Sequence, residues 1–384
     1  MAAILNVRAI VNGYGLSPEF RDALLKLFDE HVASIHSTTR ISSKALSIKT
    51  QERRATALCK SFVELREGGF ALQTPWSLKG KHVDYLVREW VAKGQSGGTI
   101  ENKLTYLRAI AQWMHKANLV GTLGDYVDRR EHDLVRSYVA TEDRSWEAHG
   151  IDAAAKIGEI AQSCPHTAVQ LKLQAAFGLR VEESFMLRPV EAVKDQRMLA
   201  VTRGTKGGRP REVPIGRKLA ILEEAARLCN GVSGSTVPAD RTLKQWRDWY
   251  YYVLAKHGVT KSGLGVTSHG LRHGYLQTLY EETSGVPAPV KRAGLRPDAK
   301  EHEEAMRRVV EAAGHSRVTK ANAYLSTFAT QDRLQKSLPT AEAVRGALCM
   351  ENGNKSHAAK ALGISRQALY RILGAADPSA SGRE

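Results

Sequence analysis

Between Met198 and Ile215 two short, largely apolar runs flank a glycine-rich turn, the pattern of a single β-hairpin. Met198, Leu199, Ala200, Val201 and Thr202 form one arm, and Arg211, Glu212, Val213, Pro214 and Ile215 the other. Thr205, Lys206, Gly207 and Gly208 make the turn between them. Pro214 has no N–H to give a ladder, so the second arm belongs at a sheet edge or strand end. Two short strands cannot bury a core by themselves. The hairpin must lean on the rest of the chain, and the rest is written in helical periods. The expected fold is therefore mainly α with a small β-hairpin.

Those periods also mark out units. Residues 1–75 read as a helical extension. Residues 76–140 hold a helical pair, with Val83, Leu86, Val87 and Trp90 on one face. After the Gly97-Gly98 break, Ile100, Leu104, Leu107, Ala111 and Met114 continue the apolar stripe. A charged, weakly periodic stretch from Asp125 to Gly150 contains the expected linker. A mixed α+β unit spans 150–338. In it the apolar helix Ala168–Phe177 stops at Gly178, and residues 340–376 form a last small unit.

Charge selects the partner. With 56 Lys and Arg against 40 Asp and Glu, the formal net charge is +16. Fixed cations displace condensed counterions, so the leading partner is nucleic acid rather than an anionic membrane. The basic, hydroxyl-rich segment 36–54 offers Lys44 and Lys49 for phosphate contacts, and Lys79 and Lys81 open the helical pair. Lys103, Arg108 and Lys116 stand beside the apolar stripe as further candidates. Cys59, Cys164, Cys229 and Cys349 are far apart. They suggest neither a disulfide frame nor a zinc site. No leader or spanning segment stands out, so a soluble cytoplasmic protein without metal or cofactor is expected.

Four separated patches carry chemistry. Gly178-Leu179-Arg180-Val181-Glu182-Glu183 sets Arg180 at a helix start, with Glu183 one turn on to hold a neighbouring cation. Lys206 rides the hairpin turn. In Ser268-His269-Gly270-Leu271-Arg272-His273, His269 and Arg272 share a helical face. Gly314-His315 is followed nine positions after the histidine by Tyr324. Attack on a phosphodiester builds charge on phosphate oxygens, which preorganised cations stabilise. Arginine suits this because its planar fork grips two oxygens and stays charged. A phenol with a pKa of ~10 is only about one part in a thousand ionised at neutral pH, so it needs a base or a positive surround. Each residue alone has an ordinary surface or core reading; their order and company point to one site.

In that order, Arg180, Lys206, His269, Arg272, His315 and Tyr324 resemble the catalytic set of the tyrosine recombinases and phage integrases. Glu183 and His273 stand in supporting places. The resemblance covers about Ile151 to Leu338, and the helical unit before it is similar to the family's core-binding domain. It implies a DNA strand transferase with Tyr324 as nucleophile and Lys206 protonating the leaving 5′ oxygen. It also implies a tetramer on two duplexes of double-stranded DNA, with an excisionase or other accessory protein as a further partner. The chain departs from the family pattern in two ways. The stretch from Gly274 to Ala313 is long, with an insertion at 281–308 that is free to touch DNA, touch a neighbouring protomer or do neither. Ala313 also stands where a larger apolar residue usually precedes Gly-His.

Residues 354–373 resemble the helix-turn-helix of the Fis family. Ala358, Ala359 and Leu362 face inward, Gly363 makes the turn and Ser365 caps the second helix, leaving Arg366, Gln367 and Arg371 toward a major groove. The leading reading is an integrase of a mobile element. A resolvase or a type IB topoisomerase would use the same residues, and a non-catalytic DNA-binding regulator is the alternative from another class.

Overall fold

A computed structural model describes residues 5–35, 45–193, 197–336, 339–364 and 366–375, within two compact units, Met1–Ser137 and Tyr138–Glu384. The first unit is built from α1 (Val7–Asn12), α2 (Pro18–His31), α3 (Ile48–Glu67), α4 (Gly80–Ala92) and α5 (Gly97–Trp113). Ser17, Ser47 and Ser96 cap α2, α3 and α5 by accepting a backbone N–H three residues on, which satisfies donors that a helix start leaves unpaired. The apolar stripes expected on α4 and α5 are buried. They join Phe20, Leu24 and Phe28 of α2 and Leu58, Phe62 and Leu65 of α3 in one cluster. The helices on either side of residue 75 thus share a single core.

Three of the cations that the sequence offered for DNA are spent inside this unit. Lys116 donates to the carbonyls of Trp76 and Leu78, and Arg108 to that of Gly121. Lys103 lies over the Trp90 ring and beside Glu64. Lys49, Lys79 and Lys81 are exposed. Lys44, with residues 36–43, lies outside the described residues.

The second unit opens with α6 (Ala153–Ser163) and α7 (Pro165–Phe177). Helix α7 is buried over most of its surface, with Thr167, Gln170 and Gln174 inside among its apolar residues, and Gly178 ends it in the left-handed conformation (φ 60°). A Cβ at Gly178 would also meet the Tyr275 ring at 2.3 Å, so both backbone and packing require glycine there. Next come α8 (Val181–Met186), α9 (Pro189–Ala192), and the strands β1 (Met198–Val201) and β2 (Arg211–Pro214). The strands pair antiparallel with Leu199 opposite Val213, and their inward faces join α7 in a common core. Pro214 ends its strand.

Helices α10 (Leu219–Arg227), α11 (Leu243–Lys256), α12 (His269–Ser284), α13 (Ala299–Ala312), α14 (Asn322–Leu325) and α15 (Phe328–Lys336) complete the mixed part. The long insertion turns out to be structural. Ala288 and Val290 pack with Ala305, Met306, Val309 and Val310 of α13 against Tyr280, Tyr324 and Leu325. Apolar residues at helical spacing let α13 bury one face and leave Arg307 and Arg308 outside, each paired with Glu304. The insertion therefore carries the floor under Tyr324.

The last three helices are α16 (Ala341–Met350), α17 (Lys355–Ala361) and α18 (Arg366–Ala375), with a small core of Val344, Ala358, Ala359 and Leu369. Asn354 caps α17, and Gly363 makes the turn at φ 64°. Ser365 lies outside the described residues, as do the side chains of Gln367 and Arg371; Arg366 is exposed. Among the described residues no helix is long and apolar enough to cross a membrane.

Candidate active site

The site is assembled from chain breaks. Because α7 stops at Gly178, Leu179 turns the backbone and Arg180 becomes the N-cap of α8. Glu183, one turn in, folds back on that cap. Its Oε2 accepts the Arg180 backbone N–H at 2.7 Å and its Oε1 accepts Nη1 of Arg180 at 2.6 Å. The same carboxylate also takes both arms of Arg211, which begins β2, with both oxygens at 2.7 Å. Glu183 is fully buried. Burial alone would raise its pKa, but Arg211 and then Arg180 outweigh that and hold it at about 2.

The second arginine comes from α12. Trp146 steadies the start of that helix by donating Nε1–H to the Thr267 carbonyl at 2.8 Å. A Cβ at Gly270 would sit 2.5 Å from the Arg144 carbonyl and 2.8 Å from the Trp146 ring, so glycine permits this docking. Arg272 is fully buried. It donates Nη1 to the Gly178 carbonyl, Nη2 to the Ala313 carbonyl at 2.7 Å and Nε to the Tyr324 hydroxyl at 3.4 Å. Arg180 donates Nη2 to the same Ala313 oxygen at 2.8 Å. The Arg272 guanidinium is thus oriented by two main-chain carbonyls, and that of Arg180 by the Ala313 carbonyl and Glu183. A guanidinium carries five N–H groups, so each keeps donors for a further acceptor.

Tyr324 sits on the short helix α14 and is 7% exposed. Its hydroxyl lies 3.4 Å from Arg272 Nε and 3.4 Å from His315 Nε2, both at the long end of hydrogen bonding. His273 and His269 follow at ring separations of 5.0 and 6.2 Å. Ser326, two residues on, holds φ 66° and ψ −165°, a conformation rarely adopted by residues other than glycine. Hydrogen bonds over-determine it: its N–H reaches the Asn322 carbonyl and its Oγ accepts from Gln331.

The three histidines are held neutral. Burial, then the charges of Arg272 and Arg180, brings His269 down to about 4. Burial, then Arg180 and Arg272, does the same for His315, with a smaller push from Lys206. His273 falls to about 3 through burial and the neighbouring His269. Lys206 is exposed at the hairpin tip. A neutral imidazole beside a phenol can accept its proton, and two fixed guanidinium groups can receive an anionic group next to it.

Of the residues picked out in the sequence, Arg180, Glu183, Arg272, His273, His269, His315 and Tyr324 are brought together, with Lys206 near enough to act on His315 electrostatically. Sequence reasoning missed two contributors. Arg211 is one, although its place at i−2 and i−4 from the inward-facing Val213 and Ile215 signals an inward side chain. The Ala313 carbonyl is the other, and no side-chain pattern announces a main-chain acceptor.

Residues 145–278 match the family model described as Integrase, residues 39–120 that of Phage integrase, N-terminal, and residues 342–373 that of Bacterial regulatory protein, Fis family. No curated protein matches the chain. Similar solved structures include a lambda integrase dimer bound to a COC′ core site, at 14% identity and TM-score 0.49, covering 80% of this chain and 77% of that one. The Tn1549 transposon integrase in complex with circular intermediate DNA matches at 16% identity and TM-score 0.49, over 82% of this chain and 99% of its own. The XerH recombinase bound to a palindromic difH substrate matches at 14% and 0.46, over 86% and 93%.

Proposed function

The chain belongs to the phage integrase family, with a Fis-family helix-turn-helix toward its C-terminus, and from that premise we propose that it is a site-specific DNA strand transferase working through a 3′-phosphotyrosine. One observation carries this reading: the Tyr324 hydroxyl lies between Arg272 and His315, beside two guanidinium groups fixed on a common acceptor. In the proposed reaction the Tyr324 oxygen bonds to the scissile phosphorus and the bond from phosphorus to the 5′ oxygen breaks. The phenol proton passes to a neutral histidine, His269 or His315, and Lys206 supplies the proton that leaves with the 5′ hydroxyl. Arg180 and Arg272 hold the charge that gathers on the non-bridging oxygens. The ester conserves the bond energy for rejoining, so the chemistry asks for neither ATP nor metal, and cleavage is expected to persist in a chelator.

The biological setting we propose is integration or excision of a mobile element, by four protomers on two DNA sites. The exposed Lys49, Lys79, Lys81 and Arg366 are offered to DNA backbone or bases. The deciding experiment is a suicide DNA substrate whose cleaved end diffuses away. The wild-type chain should become covalently attached to DNA and Tyr324→Phe should not. A wild-type chain that binds such DNA and never attaches would be a regulator instead.

A further inference from the structure

The hairpin that carries Lys206 is fastened to the first turn of α8 at both ends of its loop. On the incoming side, Gly204 (φ 69°) lies so close to the Glu182–Glu183 peptide that a Cβ there would sit 2.6 Å from the Glu182 carbonyl oxygen. On the outgoing side, Arg211 closes both arms on the Glu183 carboxylate, at 2.7 Å each. Lys206 sits between these two fastenings, exposed, on a loop that contains Gly204, Gly207 and Gly208 and would otherwise have wide backbone freedom.

We infer that Arg211 is a positioning residue for the Lys206 ammonium, acting through Glu183. Arg211 itself takes no part in proton or phosphoryl transfer. Its guanidinium fork fixes where β2 begins, and hence where the loop returns, against the same carboxylate that orients Arg180. The proton donor and the phosphate-binding arginine are thereby referred to one buried anchor. A lysine at 211 would keep the charge and lose the fork, because an ammonium cannot span both carboxylate oxygens in that geometry.

The inference rests on the strand-transfer reading, and its test separates the two. Two DNA substrates are cleaved in single turnover by the full chain. One is ordinary and the other has sulfur in place of the bridging 5′ oxygen, so that the leaving thiolate needs no proton. The variants are Arg211→Lys and Gly204→Ala, which loosen the loop from opposite ends, with Lys206→Ala as reference. On ordinary DNA, Lys206→Ala should lose ~100-fold or more, the usual scale for a missing general acid. Arg211→Lys and Gly204→Ala should each lose roughly tenfold, a part of that scale. On the sulfur substrate all three should recover to near wild-type rates. Equal losses on both substrates in Arg211→Lys and Gly204→Ala alike, or no loss on either substrate, would overturn the positioning role. A misfolded variant would lose on both substrates in Arg211→Lys alone, with Gly204→Ala still recovering, and Gly204→Ala then decides. A wild-type chain that traps neither substrate would bring down the strand-transfer reading itself.

Discussion

Arg180 and Arg272 donate to one acceptor: their Nη2 groups lie 2.8 and 2.7 Å from the Ala313 carbonyl oxygen. Two like charges are thus held side by side, which a surface pair would avoid. The arrangement persists because Arg180 is partnered by Glu183 and Arg272 by the Gly178 carbonyl as well.

If these two cations stabilise charge on a scissile phosphate, Arg180→Ala or Arg272→Ala should each slow covalent attachment by at least about 100-fold, the scale seen when a preorganised donor is removed. Arg272→Lys should be nearly as slow, since an ammonium cannot reach the Gly178 carbonyl, the Ala313 carbonyl and Tyr324 together. Single-turnover trapping on a suicide substrate measures both, and near-normal rates would mean the cations serve the fold only.

Glu183 is the buried counter-charge for two guanidinium groups. Glu183→Leu should lower stability by about 3 kcal/mol or more, because it leaves the buried Arg211 and the Arg180 charge without their carboxylate. Denaturant unfolding, followed in the region around Trp246, should show it. An unchanged midpoint would mean the pair finds solvent or another acceptor.

Acid should weaken this unit early. His269 and His315 sit at about 4 and His273 at about 3 in the folded chain, against an ordinary value of 6.5. The unfolded chain therefore binds protons first as pH falls below 6.5, and the folded state loses stability progressively down to about 3. Glu183, lowered from 4.5 to about 2, adds a second loss of the same sign between those values. Melting temperatures recorded from about pH 8 to about pH 4 should fall mainly below 6.5, and a His269→Gln, His273→Gln, His315→Gln triple variant should flatten the upper part of that fall.

The C-terminal helices have a core of their own, built on Val344, Ala358, Ala359 and Leu369. Removing residues 339–384 should leave the attachment rate on saturating suicide DNA within about threefold of wild type, as distant and independent sites generally behave. The same deletion should weaken binding at limiting DNA, with a shallower salt dependence. An unchanged binding isotherm would assign those helices to protein contacts.

Much of this site is legible in the sequence because its chemistry needs particular side chains at particular breaks. Gly178 predicts the turn that presents Arg180, and the spacing of His269 and Arg272 predicts a shared helical face. The hairpin follows from two short strand-like runs on either side of Gly207 and Gly208. What escapes is whatever depends on the far side of a contact. Helix α13 reads as a charged insertion, because Ala305, Met306, Val309 and Val310 acquire meaning only against Tyr280 and Tyr324. Charge alone misleads in the same way: Lys103, Arg108 and Lys116 look free in a string of letters, yet each finds a partner within its own unit.

The main-chain origin of the acceptor at 313 has a consequence for which changes this protein can tolerate. Any residue supplies a carbonyl, so the atom that holds the arginines does not depend on the side chain at that position, and the fully buried Ala313 suits the packed space around it. The vulnerable property is the path of the backbone where α13 ends. Gly314 keeps that path at φ 65°, with the Arg211 side chain 3.2 Å from where its Cβ would lie. Harmful variation should accordingly gather at the neighbour that shapes the turn, one position beyond the atom that does the holding.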